Sequence, residues 1–147
     1  MTGEKVFRTE FSVKGREFSR AGDVSCRIKN LLKDIGIDAG TVRRLAIASF
    51  EAEMNVIMYA RQAVISLAVS PDKVSIVIDD EGPGIPDIAL AMKEGFSTAT
   101  REMRELGFGA GMGLPNIRKN SDVFHLTSEP GRGTRLEITV RLDGSRP

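Results

Sequence analysis

Glu51 and Asn55 stand four residues apart in a run whose apolar positions, Ile47, Phe50, Met54, Ile57 and Met58, recur at threes and fours. On a helix they share one face and flank the stripe carried by Phe50 and Met54, at the edge of whatever core that stripe enters. An asparagine oxygen is the hard, neutral ligand that Mg2+ takes beside waters and substrate phosphates. A carboxylate one turn earlier suits a base that accepts the proton of a hydroxyl or water. Taken alone, the pair reads more simply as a solvated helix face.

Two glycine clusters add to it. The first is Asp79-Asp80-Glu81-Gly82-Pro83-Gly84-Ile85-Pro86, which follows a β-rich run. The second is Gly107-Phe108-Gly109-Ala110-Gly111-Met112-Gly113-Leu114-Pro115-Asn116, with glycine at every second position and a helical pattern behind it. Glycine costs backbone entropy, so such a run points to a close approach, and phosphate is the commonest object of one, because free amides and helix N-termini attract anions. Two standard phosphate loops are excluded. No lysine follows a glycine in the G-x-x-x-x-G-K-[ST] frame. In G-x-G-x-x-G the last place falls on Met112 counted from Gly107 and on Leu114 counted from Gly109, and the polar segment before Gly107 is no strand.

The elements that must position these residues follow from periodicity. Val6 to Val13 reads as a strand and Ser19 to Ile35 as a helix stopped by Gly36. Asp38 begins a longer helix to about Arg61. Ala63 to Val69 and Lys73 to Asp79 read as a hairpin across the Ser70-Pro71-Asp72-Lys73 turn. Asp87 to Lys93 reads as a short helix, residues 95–111 as a lid, Met112 to Asn120 as a helix, and Val123 to Ser128 and Thr134 to Leu142 as strands. Strands joined as hairpins and segregated from helices predict an α+β fold. The 147 residues suffice for one domain, 1–147, with its core over about 5–142.

Composition closes several function classes. With 21 basic and 20 acidic residues the chain has a net charge of +1, and with no tryptophan it has little to offer nucleic acid. No apolar run reaches the ~20 residues of a membrane helix. The start, Met1-Thr2-Gly3-Glu4-Lys5, lacks a signal-peptide core, so a cytoplasmic protein is expected. The single cysteine, Cys26, forms no intrachain disulfide and reads as buried helix packing.

In chain order stand E-A-E-M-N (51–55), D-E-G-P-G-I (80–85), G-F-G-A-G-M-G-L (107–114) and G-R-G-T (131–134). Over roughly residues 40–142 this series resembles the GHKL ATPase superfamily: histidine-kinase catalytic domains, gyrase-type topoisomerases, Hsp90-type chaperones and MutL-type repair proteins. The resemblance implies the Bergerat fold, a two-layer sandwich whose mixed, mostly antiparallel sheet is covered by helices on one face. It implies ATP and Mg2+ as cofactors. Asn55 matches the Mg2+ ligand, Glu51 the general base, and Asp80 the carboxylate that accepts from the adenine amino group. Gly82, Gly84 and Ile85 match the loop under the base. Gly109, Gly111, Met112, Gly113 and Leu114 match the lid hinge around the phosphates, and Thr134 the threonine that supports the adenine contact.

A stand-alone chain of this size looks like the bacterial anti-sigma-factor and switch kinases, the RsbW, SpoIIAB and RsbT group, and G-M-G-L-P-N-I-R-K-N looks most like the RsbT branch. The family's usual histidine in the N-box region is Tyr59 here. The only histidine, His125, sits in a strand pattern and reads as a core or edge residue rather than a phosphoacceptor. The resemblance then implies a protein serine/threonine kinase that transfers the ATP γ-phosphoryl group to a STAS-domain anti-anti-sigma or stressosome-like partner. Arg101 or Arg104 of the lid would steady the developing charge. A sigma factor or a phosphatase is a further partner of the type, and homodimerisation is left open. Two other classes stay alive: a nucleotide-gated anti-sigma or binding switch with little phosphotransfer, and an ATPase subunit of a larger assembly.

Overall fold

A computed structural model describes residues 6–84, 92 and 113–142. The elements are β1 (Phe7–Lys14), α1 (Asp23–Ile35), α2 (Ala39–Tyr59), β2 (Gln62–Val69), β3 (Lys73–Glu81), α3 (Gly113–Lys119), β4 (Val123–Glu129) and β5 (Gly133–Arg141). The first helical pattern begins later than Ser19 suggests: a single 3-10 turn over Phe18–Arg20 comes first, and Gly22 separates it from α1. Apart from Met92, the predicted helix Asp87–Lys93 lies outside the described residues, as does the lid 95–111.

The strands form one five-stranded sheet in the order β1-β2-β3-β5-β4, and every described pairing is antiparallel. Period-2 alternation sends Ile65 and Leu67 of β2, Ile76 and Ile78 of β3, and Leu136 and Ile138 of β5 to the same face, where all are buried. Against that face pack Ile28 and Leu32 of α1, Leu45, Val56 and Ile57 of α2, and Ile117 of α3. The result is the expected α+β two-layer sandwich, with α2 as its middle helix, between α1 and α3. Asp38 starts α2 as an N-cap: one of its carboxylate oxygens accepts from the Thr41 amide and the Thr41 hydroxyl, both at 3.0 Å.

Two expectations are corrected. Phe50 is 44% exposed and Ile47 only half-buried, so of the expected stripe on α2 only Met54, Ile57 and Met58 are buried. The buried face also takes in Leu45, Ala48, Ser49, Ala52 and Val56, whose small members let α1 and the sheet close in on the helix. Cys26 is exposed rather than packed in the core. Val24 and Ile28 face inward, and a residue two positions from each lies roughly 200° around the helix from both.

Glu53 is a buried carboxylate, 1% exposed, that periodicity gave no reason to expect. Its two oxygens accept from the amides of Val24 (3.1 Å) and Ser25 (2.9 Å), two of the free donors in the first turn of α1. The residue before α1, Gly22, has no side chain with which to cap, so the cap comes from α2. This joins α1 to α2 by a charge-assisted contact at a helix N-terminus. Replacing Glu53 by alanine leaves two buried amides without acceptors. We predict a loss of about 2–4 kcal/mol in urea unfolding with an unchanged m-value; a loss below about 0.5 kcal/mol would show that the cap is dispensable.

Candidate functional site

The C-terminal half of α2 faces α3. Glu51 and Asn55 are both half-buried there. Asn116 donates from its side-chain amide to Glu51 Oε2 at 3.0 Å. The Asn55 side chain lies against Gly113, where a Cβ would stand 3.1 Å from Oδ1 and 3.3 Å from Nδ2. The first residue of α3 therefore meets Asn55 while its fourth meets Glu51, and the two helices run in opposite senses along the contact. Leu114 packs on the core beside them, half-buried. Asn116 was not foreseen as a site residue, although it closes the second glycine cluster and its amide is what fixes one oxygen of Glu51.

Asp80 sits near the end of β3, on the face that carries Ile76 and Ile78, so it points to the helix side of the sheet. Its Oδ1 accepts from the Thr134 amide at 2.9 Å. The Thr134 hydroxyl lies 3.1 Å from the Ser128 hydroxyl across the β4–β5 turn. Burial raises the Asp80 carboxyl above its ordinary value of 3.8; the Thr134 hydrogen bond opposes that shift and the neighbouring charge of Asp79 adds to it. Among the described residues no cation pairs with Asp80.

The backbone around Asp80 is folded tightly. A Cβ on Gly133 would collide with the Asp80 carbonyl. Gly84 has a φ of +77°, and a Cβ there would stand 2.5 Å from the Glu129 carbonyl oxygen. Gly82 donates to the Arg132 carbonyl at 3.2 Å, and Gly131 donates to the Pro83 carbonyl at 2.9 Å. The 82–84 corner is thereby docked on the β4–β5 turn that delivers Thr134. Gly82 is buried against Ala60, the residue that follows α2, so the corner lies at the end of α2 that carries Asn55.

Ile85, Gly109, Gly111 and Met112 lie outside the described residues, as do Arg101 and Arg104. His125 is exposed on the edge strand β4. Among the described residues no three His, Cys, Asp or Glu side chains gather as a metal site. The donor set at the α2–α3 contact is a single amide oxygen with a carboxylate one turn away. It fits Mg2+, which keeps several waters and takes most of its remaining oxygens from phosphates, better than a metal that needs a protein cage.

Residues 40–144 match a family model described as "Histidine kinase-, DNA gyrase B-, and HSP90-like ATPase". The serine/threonine-protein kinase RsbT of Bacillus subtilis is 33% identical over 113 residues, which are 74% of this chain and 79% of the relative. An anti-sigma F factor of Thermoanaerobacter is 35% identical over 78 residues, 53% of this chain and 51% of the relative, so the chain spans about half of that protein's length. A solved structure of the RsbU and RsbW domains of a Mycobacterium tuberculosis protein superposes with a TM-score of 0.61 at 16% identity. It covers 96% of this chain and 33% of its own, and at that identity it speaks to the fold.

The raised Asp80 carboxyl has a consequence for stability. The folded chain holds that proton more tightly than the unfolded chain. The stabilisation is therefore full below about pH 3.8 and is lost as pH rises through the raised folded value. Above it, the charged group opposes folding. Asp80→Asn keeps an oxygen for the Thr134 amide and removes the charge. We predict that, relative to wild type, its urea midpoint is equal or higher at pH 7, with any advantage shrinking toward pH 4; a variant clearly less stable at pH 7 would contradict the assigned cost.

Proposed function

The chain belongs to the family of histidine kinase-, DNA gyrase B- and HSP90-like ATPases, and on that premise we propose that it is an ATP- and Mg2+-dependent protein serine/threonine kinase of the anti-sigma and switch type. The observation that carries the reading is the meeting of Glu51 and Asn55 with the first turn of α3, beside the end of β3 that holds Asp80. The RsbT relative, covered over most of its length, is named a serine/threonine-protein kinase and supports the choice of reaction.

In this reading Asp80 takes a hydrogen bond from the adenine amino group through the carboxylate oxygen that the Thr134 amide leaves unused. A half-buried carboxylate is a strong acceptor for such a donor and rejects a base that offers an acceptor instead. Gly82, Gly84 and Ile85 would serve the base, and Gly109, Gly111, Met112, Gly113 and Leu114 would serve the phosphates. Asn55 Oδ1 holds the metal, which supplies charge neutralisation at the phosphates when bound. Glu51, one oxygen held by Asn116, takes on the other the proton of the partner's Ser or Thr hydroxyl. That hydroxyl oxygen bonds to the γ-phosphorus while the bond from phosphorus to the ADP oxygen breaks.

The partner in this reading is a STAS-domain protein of the anti-anti-sigma or stressosome-like type, with a sigma factor or a phosphatase as a further regulated protein, in the cytoplasm. No described helix is long and apolar enough to cross a membrane. A second reading rests on the anti-sigma F factor relatives: a nucleotide-gated binding switch that transfers little phosphate.

Labelled ATP and STAS proteins encoded near this chain separate the two. Label on a STAS serine or threonine is expected; nucleotide-dependent binding without label would overturn the kinase reading in favour of the switch. Glu51→Gln is predicted to keep ATP affinity and to slow transfer at least ~100-fold, and undiminished transfer would remove Glu51 as the base. Asn55→Ala is predicted to weaken ATP binding in the presence of Mg2+ and to leave metal-free binding nearly unchanged, as read by calorimetric titration.

A further inference from the structure

α1 and α2 form a helical hairpin, and the crease between their outward sides holds a cavity of about 390 Å³. Its floor is apolar, built from Ile37, Val42 and Ile47. Its rim carries Lys29 and Lys33 from α1 and Arg43 from α2, all exposed. None of the described residues that line it is acidic, and among the described residues none of the three cations is in an ion pair. Three neighbouring cations on a chain of net charge +1 make a local excess that the rest of the surface offsets.

The floor extends beyond the cavity. Arg43, Ile47 and Phe50 recur at i, i+4 and i+7, so they share a side of α2. Phe50, a large side chain left exposed, carries the apolar strip toward the start of α1, where its ring stands 3.6 Å from a Cβ position on Gly22. From Ala39 to Phe50 the strip is roughly 16 Å long at 1.5 Å per residue, the length of three helical turns. A two-helix crease of that length, apolar along its floor and basic along its rim, has the shape and charge for one more helix.

We propose that the α1–α2 crease is a docking groove for an acidic amphipathic helix of a protein partner. The apolar side of that helix covers Ile47 and Phe50, and its carboxylates meet Lys29, Lys33 and Arg43. Phe50 is five residues from Asn55, about 140° around the helix. Ile47 lies only about 40° around the helix from Glu51, so the groove and the Glu51–Asn55 pair adjoin on α2, the groove opening beside α1 and the pair beside α3. The docking groove stands apart from the ATP reading: it needs no nucleotide and no residue assigned to catalysis.

The test is an NMR titration of the labelled protein with a synthetic 14-residue helical peptide, leucine on one side and glutamate on the others. The comparison is the same peptide with lysine for glutamate. Saturable shifts confined to the amides around Lys29–Lys33, Ile37 and Arg43–Phe50 are expected with the acidic peptide alone. The triple variant Lys29→Glu, Lys33→Glu, Arg43→Glu is expected to bind at least ~10-fold more weakly, and Phe50→Ser likewise, with the ATP titration unchanged. Should the charge reversal fail to fold, the triple glutamine variant gives the same comparison. Absence of shifts in the crease, equal binding of the lysine peptide, or undiminished binding by the variants overturns the proposal. So would two alternative occupants. Shifts of the same amides on raising protein concentration alone would assign the crease to a second copy, and shifts with phosphatidylglycerol vesicles but not with peptide would assign it to a lipid surface.

Discussion

A carboxylate on the inward face of a central strand, half-buried and held by a single backbone amide, constrains the whole of this end of the molecule. Asp80 occupies the place in the alternation of β3 where Ile76 and Ile78 would predict another apolar residue. Keeping it there requires a donor, and the donor is the Thr134 amide on the neighbouring strand β5. Bringing that amide close requires the β4–β5 turn to lie almost on the backbone of the 82–84 corner, which a side chain at Gly133 or Gly84 would prevent. The glycines of this corner are thus explained by the carboxylate, and in the proposed reading the charge of that carboxylate, which burial disfavours, is offset by the adenine amino group. Groups perturbed in this way mark functional sites more often than structural ones.

α2 transmits that arrangement to the rest of the fold. Glu53 reaches to one side and caps α1; Glu51 and Asn55 reach to the other and meet α3. On the C-terminal side of α3, Arg44 of α2 pairs with Asp122 at 3.0 Å, and the other oxygen of Asp122 accepts from the Arg141 amide at 2.7 Å. One helix therefore fixes its neighbours through carboxylates of both its own and theirs. A change on one side of it can act on the other only by moving the helix as a body, because its inward face is packed with side chains as small as Ala48, Ser49 and Ala52.

Much of this was legible in the sequence, for identifiable reasons. β2 and β3 are β-rich runs, β5 alternates apolar with polar residues from Arg135 to Arg141, and Gly36, Asp38 and the Ser70–Lys73 turn punctuate the chain at positions where the elements do end. The Glu51–Asn55 spacing placed both on one side of α2, as the helix has them. What failed was extending the buried stripe of Met54, Ile57 and Met58 back to Ile47 and Phe50. The helix surrounds alanine and serine with close neighbours and leaves Phe50 outside, and the same logic misplaced Cys26. Glu53 and Asn116 were missed because their roles are tertiary: one caps a helix that precedes it by some thirty residues in the chain, and the other reaches Glu51 from the far side of the second glycine cluster. No periodicity encodes such pairings. The roles of Asp80 and Thr134 came from the resemblance to a family, while their direct contact is a feature of the fold.

The central claim is that Asp80 recognises the exocyclic amino group of adenine. Calorimetric titration of the full chain with ATP and with inosine triphosphate, which carries an oxygen in place of that amino group, tests it most directly. The account predicts at least ~10-fold tighter binding of ATP, the worth of one buried polar mismatch, and a preference that disappears in Asp80→Asn. Equal affinity of the wild-type chain for the two nucleotides would contradict it.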